Sequence, residues 1–124
     1  MKKIIIVLGS NCDPVRNIAY AMWNLSFGFP EMAFSRMLWT DPIGMEEGAS
    51  MFVNAVGIAM TDRDETYLMH YLKEIERHCG RSKEEKAKGI IRLDLDLLLY
   101  GDTRRKEEDW ERDYVKQLLR EMGE

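Results

Sequence analysis

The sequence has few of the features that mark disulfide-rich, membrane-spanning or repetitive proteins. Cys12 and Cys79 are its two cysteines among 124 residues, too few for a disulfide framework and typical of a reducing, cytoplasmic setting. No apolar run approaches membrane-spanning length. The apolar run 4–8 is too short for the core of a signal peptide and is predicted to be a strand. Internal repeats and low-complexity segments are also missing from the sequence.

Charge and histidine content exclude further classes of function. The net charge of −4 gives no electrostatic reason to expect a nucleic-acid or membrane partner. The two histidines, His70 and His78, lie eight residues apart on one predicted helix, which is wider than the spacing of helical zinc ligands. The neighbouring Cys79 is therefore expected to be a small core residue.

Hydrophobic periodicity predicts one α+β domain. Apolar runs with a period of two, or buried on both faces, indicate strands, and apolar residues at a spacing of three to four indicate helices. The predicted strands are 4–8, 32–40, 51–60 and 91–101. The predicted helices are 14–28, 63–79 with Asp62 as its cap, and one within 103–124, and charged or turn-forming loops cover 41–50 and 81–89. This order, βαββαβ plus a C-terminal helix, predicts a ferredoxin-like sheet with two helices on one face.

The last predicted strand combines alternating leucines with a pair of acids. Leucines occupy positions 93, 95, 97 and 99, which predicts that they share the core side of the strand. Arg92, Asp94 and Asp96 have the other parity and are expected on the opposite face. Two carboxylates at i and i+2 suit a hard cation such as Mg²⁺. They also suit a solvated strand face on which Arg92 neutralises them, and the pattern alone leaves both interpretations open.

Residues 103–124 are predicted to form an amphipathic helix that belongs to the same domain as residues 1–102. Trp110, Tyr114 and Leu118 form its apolar stripe. This stripe has two possible uses. It packs on the open sheet face beside the acids, or it projects outward and forms a homodimer contact, since a long apolar stripe is rarely left exposed.

Several short motifs resemble one enzyme family, 6-hydroxymethyl-7,8-dihydropterin pyrophosphokinase of folate biosynthesis. The motifs come in the family's order and run from residue 4 to about 102. They are Leu8-Gly9-Ser10-Asn11, Thr40-Asp41-Pro42-Ile43-Gly44, Phe52-Val53-Asn54-Ala55-Val56, Ile75-Glu76, Gly80-Arg81 and Leu93-Asp94-Leu95-Asp96-Leu97-Leu98-Leu99-Tyr100-Gly101. The last of these is the most specific.

The resemblance implies a transferase that moves pyrophosphate from ATP to the hydroxymethyl group of a pterin. It implies two Mg²⁺ ions with ATP, held by Asp94 and Asp96. The residues it implies for the pterin are Thr40, Pro42, Ile43, Phe52 and Asn54. Those it implies for the nucleotide are Lys73, Glu76, Arg81 and Lys83, with catalytic roles for Arg81, Lys83 and Arg92.

The sequence departs from the family pattern in two places. Lys88 and Ile91 stand where the family has a Trp and an Arg, so Arg92, one position later, is the candidate substitute. Residues 103–124 contain neither the His nor the Phe that the family uses for ATP and the pterin. Two alternatives therefore stand beside the pterin enzyme. One is a non-catalytic ferredoxin-like module that binds a ligand or dimerises, and the other is transfer to a different, smaller acceptor.

Overall fold

The computed structural model describes residues 1–43 and 50–124. Their strands are β1 (Lys2–Ser10), β2 (Ala33–Phe34), β3 (Leu38–Thr40), β4 (Phe52–Thr61), β5 (Asp94–Tyr100) and β6 (Thr103–Arg104). Their helices are α1 (Pro14–Gly28), α2 (Glu65–His78), α3 (Lys83–Ala87), α4 (Glu107–Trp110) and α5 (Asp113–Glu121). No helix in this part of the chain is long and apolar enough to cross a membrane. The predicted loop 41–50 includes residues 44–49, which lie outside the described residues.

The sheet confirms the predicted ferredoxin-like arrangement. β1 lies in the centre, with β4 and β5 antiparallel on its two sides, and the strand order is β2-β4-β1-β5-β6, with β3 also paired to β4. α1 and α2 cover one face, here called the helix face, because apolar residues recur at helical spacing on both. Their buried core residues are Ile18, Ala21, Leu25, Leu68, Leu72 and Ile75.

The second predicted strand, 32–40, forms two short strands, β2 and β3, instead of one. Both pair with β4. Between them the Ser35 hydroxyl accepts a hydrogen bond from the Val56 amide, while the Ser35 amide donates to the Val56 carbonyl. A side chain thus replaces one backbone partner of the ladder, and the regular pairing is interrupted there.

The predicted alternation of the four leucines is correct for three of them and wrong for Leu99. The pairing between β1 and β5 passes from Ile6↔Leu97 to Ile5↔Leu99, so Leu98 has no register partner and forms a β-bulge. The extra residue reverses the side-chain alternation beyond this point. Leu98 and Leu99 consequently join the core on the second face, and Tyr100 packs against the core on the helix face.

The second face of the sheet, here called the acid face because it carries Asp94 and Asp96, is partly covered by the C-terminal segment. Val115, Leu118 and Leu119 of α5 pack with Ile5 and Val7 in a second core cluster. Trp110 and Tyr114 are half-buried against the same cluster. The predicted stripe is therefore used inside the chain, and the surface expected to carry a homodimer contact is not exposed.

The prediction of one helix within 103–124 is wrong in detail, because the chain reverses before the helix begins. Gly101 adopts φ +64, which lets β6 turn back along β5. A left-handed Lys106 at φ 53 then precedes a short helix, α4, and an extended Arg112 separates α4 from α5. The division of the chain at residue 102 stays a prediction.

The charged segment 81–89, predicted as a loop, contains the helix α3. Ser82 caps it, since its hydroxyl accepts the Glu85 amide at 3.1 Å. Asp64, in place of the predicted Asp62, likewise caps α2 by accepting the Tyr67 amide at 2.8 Å. Gly89, at φ +80, follows the end of α3 and turns the chain toward β5.

Candidate functional site

Two clefts meet at the carboxylates of Asp94 and Asp96, here called the acid pair. The larger cleft has a volume of about 540 Å³ and lies between α2, β5 and the β6–α4 connection. The smaller has a volume of about 140 Å³ and lies between β3, β4 and the start of α5. Ile43, Phe52 and the acid pair line both clefts. A group bound in one cleft therefore reaches the same carboxylates as a group bound in the other.

The strand register explains why the acids and the amide lie side by side. Gly9 in the central strand pairs with Asn54 on one side and with Asp94 on the other, so these residues form one row across three strands. A Cβ at position 9 would lie 2.9 Å from the Asn54 Nδ2 atom. Glycine is thus required here by the close approach of the amide, and it leaves the floor of the smaller cleft open.

Arg81 connects the acid pair to a buried carboxylate on α2. Its Nη1 atom donates to Asp94 Oδ1 at 2.7 Å and to Glu76 Oε2 at 2.9 Å. The same Glu76 oxygen accepts the Leu95 amide at 2.7 Å. Burial raises the pKa of Glu76, while the Leu95 amide and Arg81 act in the opposite direction. Glu76 is therefore placed to position β5 and Arg81 rather than to face a ligand directly.

The surroundings of Asp96 strongly perturb its pKa. Burial of its carboxyl group, together with the charge of Asp94 and a hydrogen bond with it, raises its pKa to about 7. The ammonium group of Lys106 lies 3.9 Å from Asp96 Oδ1 and acts in the opposite direction. Two neighbouring carboxylates that are both partly desolvated disfavour double ionisation, and a divalent cation between them would remove this penalty.

The smaller cleft combines aromatic and polar side chains. Phe52 contributes its ring from β4, and Tyr114 contributes a second ring from α5. Asn54 is buried; its Oδ1 accepts the Thr40 hydroxyl, and its Nδ2 donates to the Leu8 carbonyl at 3.3 Å. A flat ring with a hydrogen-bonding edge fits such a lining, because aromatic side chains contact its face while the amide and hydroxyl contact its edge.

Arg112 and Tyr114 are site residues that the sequence analysis missed. Both line the smaller cleft together with Asp109, and Arg112 Nε is 3.1 Å from Asp109 Oδ1. Tyr114 belongs to the apolar stripe predicted for the last helix, and because residues 103–124 contain no Phe, no aromatic residue of this segment was expected in the site. The available signal was an arginine two residues before an aromatic at the start of the last helix.

Within the described residues, the larger cleft is lined by five basic side chains and, with the acid pair, four acidic ones. Lys73 extends from α2, Lys86 from α3, and Arg105 and Lys106 from the connection after β6. Arg105 forms a two-point ion pair with Glu65 at 2.8 and 2.9 Å, which ties this connection to the start of α2. With Arg81 the cleft has five cations around the acid pair, which suits a polyanionic ligand such as a triphosphate.

Three of the predicted residues line neither cleft within the described part of the chain. Lys83 is exposed on α3, and Lys86 of the same helix faces the larger cleft instead. Arg92 forms a two-point ion pair with Glu85 at 2.7 and 2.8 Å. Pro42 is half-buried next to Ile43, which lines both clefts. The other predicted site residues, Thr40, Phe52, Asn54, Lys73, Glu76, Arg81, Asp94 and Asp96, line at least one cleft.

Asn11 holds the chain that connects α3 to β5. Its side chain donates to the Gly89 carbonyl at 2.8 Å and accepts the Ile91 amide at 2.7 Å. Its own amide donates to the Ile91 carbonyl at 2.9 Å. These three bonds link the end of β1 to the segment just before Asp94, so they help to set the position of the acid pair.

Among residues 1–43 and 50–124, no group of three His, Cys, Asp or Glu side chains forms a metal site by itself. The acid pair thus offers carboxylate oxygens from two residues only. Such an incomplete set is typical of Mg²⁺ sites, where water and substrate phosphates supply the remaining ligands.

The sequence matches one known enzyme family and a weakly similar curated protein. A family model described as 7,8-dihydro-6-hydroxymethylpterin-pyrophosphokinase matches residues 5–124. The folate synthesis bifunctional protein of Arabidopsis thaliana is 28% identical in an alignment that covers 92% of this chain. The chain spans about a quarter of that relative, since the match covers 25% of its length.

Proposed function

Because the chain belongs to the 7,8-dihydro-6-hydroxymethylpterin-pyrophosphokinase family, we propose that it catalyses Mg²⁺-dependent transfer of pyrophosphate from ATP to a pterin hydroxymethyl group. In this reaction the hydroxyl oxygen attacks the β-phosphorus and loses its proton, the bond between that phosphorus and the oxygen of the α-phosphate breaks, and AMP leaves. The single observation that carries the proposal is the acid pair at the junction of two clefts of different size and polarity.

The larger cleft is the proposed ATP site. Its volume of about 540 Å³ lies in the range of small-molecule pockets, which is about 300–1,000 Å³. Lys73, Lys86 and Arg105 surround it with positive charge, which would neutralise the phosphates. Phosphoryl-type transfer depends mainly on positioning and charge neutralisation, so a lining of this kind matches the chemistry.

The smaller cleft is the proposed pterin site. At about 140 Å³ it is too small for a nucleotide, whereas a single fused ring system suits it. Phe52 and Tyr114 supply aromatic surface for the ring, and Asn54 with Thr40 supplies hydrogen-bonding groups for its edge. In this orientation the hydroxymethyl group would point toward the acid pair, where the two clefts meet.

The acid pair fits Mg²⁺ by the chemistry of its donors. The side chains of Asp94 and Asp96 are 38% and 26% exposed, so their oxygens are open to the clefts. When bound, Mg²⁺ neutralises phosphate charge and orients the reacting groups, and two ions are expected with ATP. The guanidinium group of Arg81 already compensates the charge of Asp94, so Arg81 and Mg²⁺ would both interact with this carboxylate. We propose that Arg81 turns toward phosphate oxygens when the nucleotide is present.

The test is a turnover assay with ATP, Mg²⁺ and 6-hydroxymethyl-7,8-dihydropterin, in which mass spectrometry identifies the products. AMP and a pyrophosphorylated pterin are expected, whereas ADP would indicate ordinary phosphate transfer. Asp94→Asn and Asp96→Asn are expected to lower the rate by a factor of about 100 or more, because they remove metal ligands. Asp102→Asn, at an exposed acid in the β5–β6 turn, is the matched control.

The same assay separates the alternatives. Mg²⁺-dependent binding of ATP analogue without any product would favour the non-catalytic ligand-binding module. Hydrolysis or transfer that does not depend on the pterin, with no quenching of tryptophan fluorescence by pterin, would favour a smaller acceptor. Equal rates for wild type and Asp94→Asn would contradict the proposed role of the acid pair.

A further inference from the structure

The outward face of α1 is apolar, and within the described residues no other element covers it. Trp23 and Phe27 are 66% and 69% exposed, Val15 is 51% exposed and Tyr20 39%. The Trp23 and Phe27 rings contact each other edge to face, with centroids 5.3 Å apart. Arg16 is the only charged residue in the 15 residues of this helix, although 32% of the whole sequence is charged.

The exposed residues form one continuous stripe. Tyr20, Trp23 and Phe27 follow a spacing of three and four, so they project from the same side of the helix. The opposite side carries Ile18, Ala21 and Leu25, which are buried against the sheet. The helix is therefore apolar on both sides, and a helix of this kind is normally covered on both sides.

We propose that this stripe is a homodimer interface, in which α1 of one chain packs antiparallel on α1 of a second copy. A two-fold axis near Trp23 places the two stripes face to face. Such a contact is self-complementary, because Arg16, four residues before Tyr20 on the same side of the helix, lies at one end of the stripe, and a two-fold axis near Trp23 keeps the two Arg16 side chains at opposite ends of the contact. The dimer contact is therefore proposed at α1 instead of the C-terminal helix, because the apolar stripe of the C-terminal helix is buried within the chain.

The exposed aromatic area agrees with the requirement of a dimer. If one aromatic side chain offers about 200 Å², the exposed fractions of Tyr20, Trp23 and Phe27 leave about 350 Å² of ring surface. A standard interface covers about 800 Å² of each partner, somewhat more than half of it apolar. The three rings supply most of this apolar core.

Charge at the two ends of α1 favours the antiparallel orientation. Arg16 lies in the first turn, and Glu31 lies three residues beyond the end of the helix. Neither forms an ion pair with any of the residues that the structure describes. The last turn of α1 has no basic residue to interact with its carbonyl groups. In an antiparallel pair, Arg16 of each chain approaches the C-terminal end of α1 in the other chain. Glu31 of that other chain lies close to the same end.

The proposed interface is independent of the enzymatic proposal. α1 covers the helix face, whereas the acid pair and α5 lie on the opposite face of the sheet. No residue of α1 lines either cleft. Both clefts of each copy remain open in the dimer, and the dimer can be present or absent whatever the reaction is.

The test is sedimentation equilibrium of the full chain over a concentration series that spans the micromolar range. Wild type is expected to show a monomer–dimer equilibrium. Trp23→Glu is expected to weaken association at least about thirtyfold, as for a central aromatic anchor. Met60→Glu, at a methionine of β4 that is 53% exposed, is the matched control and keeps the dimer.

A charge exchange tests the orientation. Arg16→Glu alone is expected to weaken the dimer, and combining it with Glu31→Arg is expected to restore it. A circular dichroism melt checks that each variant is folded. A wild type that stays monomeric throughout overturns the proposal, and so does a dimer that persists in folded Trp23→Glu. A dimer lost in Trp23→Glu but insensitive to both charge variants overturns the antiparallel arrangement.

Discussion

At the scale of single residues, the position of a side chain within the sheet determines its chemistry. Asp94 and Asp96 are two residues apart and chemically identical, yet their surroundings differ. Arg81 compensates Asp94 directly, whereas Asp96 is more buried and has a pKa raised to about 7. The acid pair therefore consists of one carboxylate already neutralised by the protein and one whose ionisation depends on what binds beside it.

We predict that Mg²⁺ binding in the presence of ATP analogue weakens below about pH 7, because a proton on Asp96 competes with the ion. The apparent affinity should fall by up to about tenfold per pH unit, the limit for one proton. Isothermal titration calorimetry from slightly acidic to slightly alkaline pH measures this. Asp96→Asn should bind weakly and without this slope; an unchanged slope would assign the titration to another group.

The same carboxyl group should affect stability with a defined sign. Its pKa is raised from 3.8 to about 7, so the folded state holds the proton more tightly than the unfolded state. The stabilisation of the folded state that results from this tighter proton binding is complete below about pH 4. It is lost as the pH rises through about 7. Asp96→Asn should therefore raise the free energy of unfolding at mildly alkaline pH by on the order of 2 kcal/mol, measured by urea denaturation. Asp102→Asn should leave it unchanged.

Tyr114 should contribute to ligand binding through its ring rather than its hydroxyl group. Burial raises its pKa to about 12, so the phenol stays neutral at physiological pH. Tyr114→Ala is expected to weaken pterin binding by about 1–3 kcal/mol, whereas Tyr114→Phe should bind nearly as wild type. Quenching of tryptophan fluorescence by pterin measures both. An equal loss in the two variants would show that the hydroxyl group, and not the ring, is important.

At the scale of elements, α5 has the largest influence on the second face of the sheet. It buries Val115, Leu118 and Leu119, and it brings Tyr114 to the smaller cleft from its first turn. Helix packing and site formation are thus coupled, because the same nine residues do both. The bulge at Leu98 belongs to this arrangement, since it brings Leu99 to the core on the acid face beside Leu98.

We predict that Leu118→Ala lowers the free energy of unfolding by about 2–5 kcal/mol, the usual range for truncating a fully buried leucine. Leu118 has no exposed surface. Gln117→Ala, at the exposed neighbouring position, should change stability by less than about 0.5 kcal/mol. Urea denaturation followed by circular dichroism measures both. A small effect of Leu118→Ala would indicate that α5 does not stay packed on the sheet in solution.

At the scale of the whole molecule, the two faces of the sheet carry different structural features. The acid face carries the site and its C-terminal cover, and the helix face carries α2 and the exposed stripe of α1. α2 connects them through Glu76, which bonds to the Leu95 amide and to Arg81. Ligand binding in the larger cleft therefore joins elements from both sides of the sheet.

We predict that Mg²⁺ and ATP analogue together stabilise the whole chain. At a ligand concentration roughly 100 times the Kd the gain is about 2.7 kcal/mol, which raises the Tm by roughly 10 °C for a domain of this size. Differential scanning fluorimetry measures the shift. Chelation of Mg²⁺ with EDTA should abolish it, and Asp94→Asn should show little shift in either condition. A full shift with EDTA present would mean that the nucleotide binds without the acid pair.

The element order and the acid pair could be predicted from the local sequence pattern, whereas the other predicted site residues came from the family resemblance. Periodicity placed the strands and helices, and the Leu-Asp alternation placed Asp94 and Asp96 on one face, because a strand has a strict period of two. Gly9, Asn54 and Asp94 belong to motifs on three neighbouring strands, and Gly9 pairs with the other two in regular register. For such residues the local pattern determines the direction of the side chain.

Only the tertiary structure decided the remaining points, and each depends on contacts between residues distant in sequence. Arg92 pairs with Glu85 because α3 folds back beside it. Leu99 changes face because an unpaired residue enters the ladder. Tyr114 and Arg112 reach the smaller cleft because the chain reverses at Gly101 and returns across the sheet. A period can be recognised in the sequence, but a chain reversal and a bulge are set by which surfaces the folded chain buries.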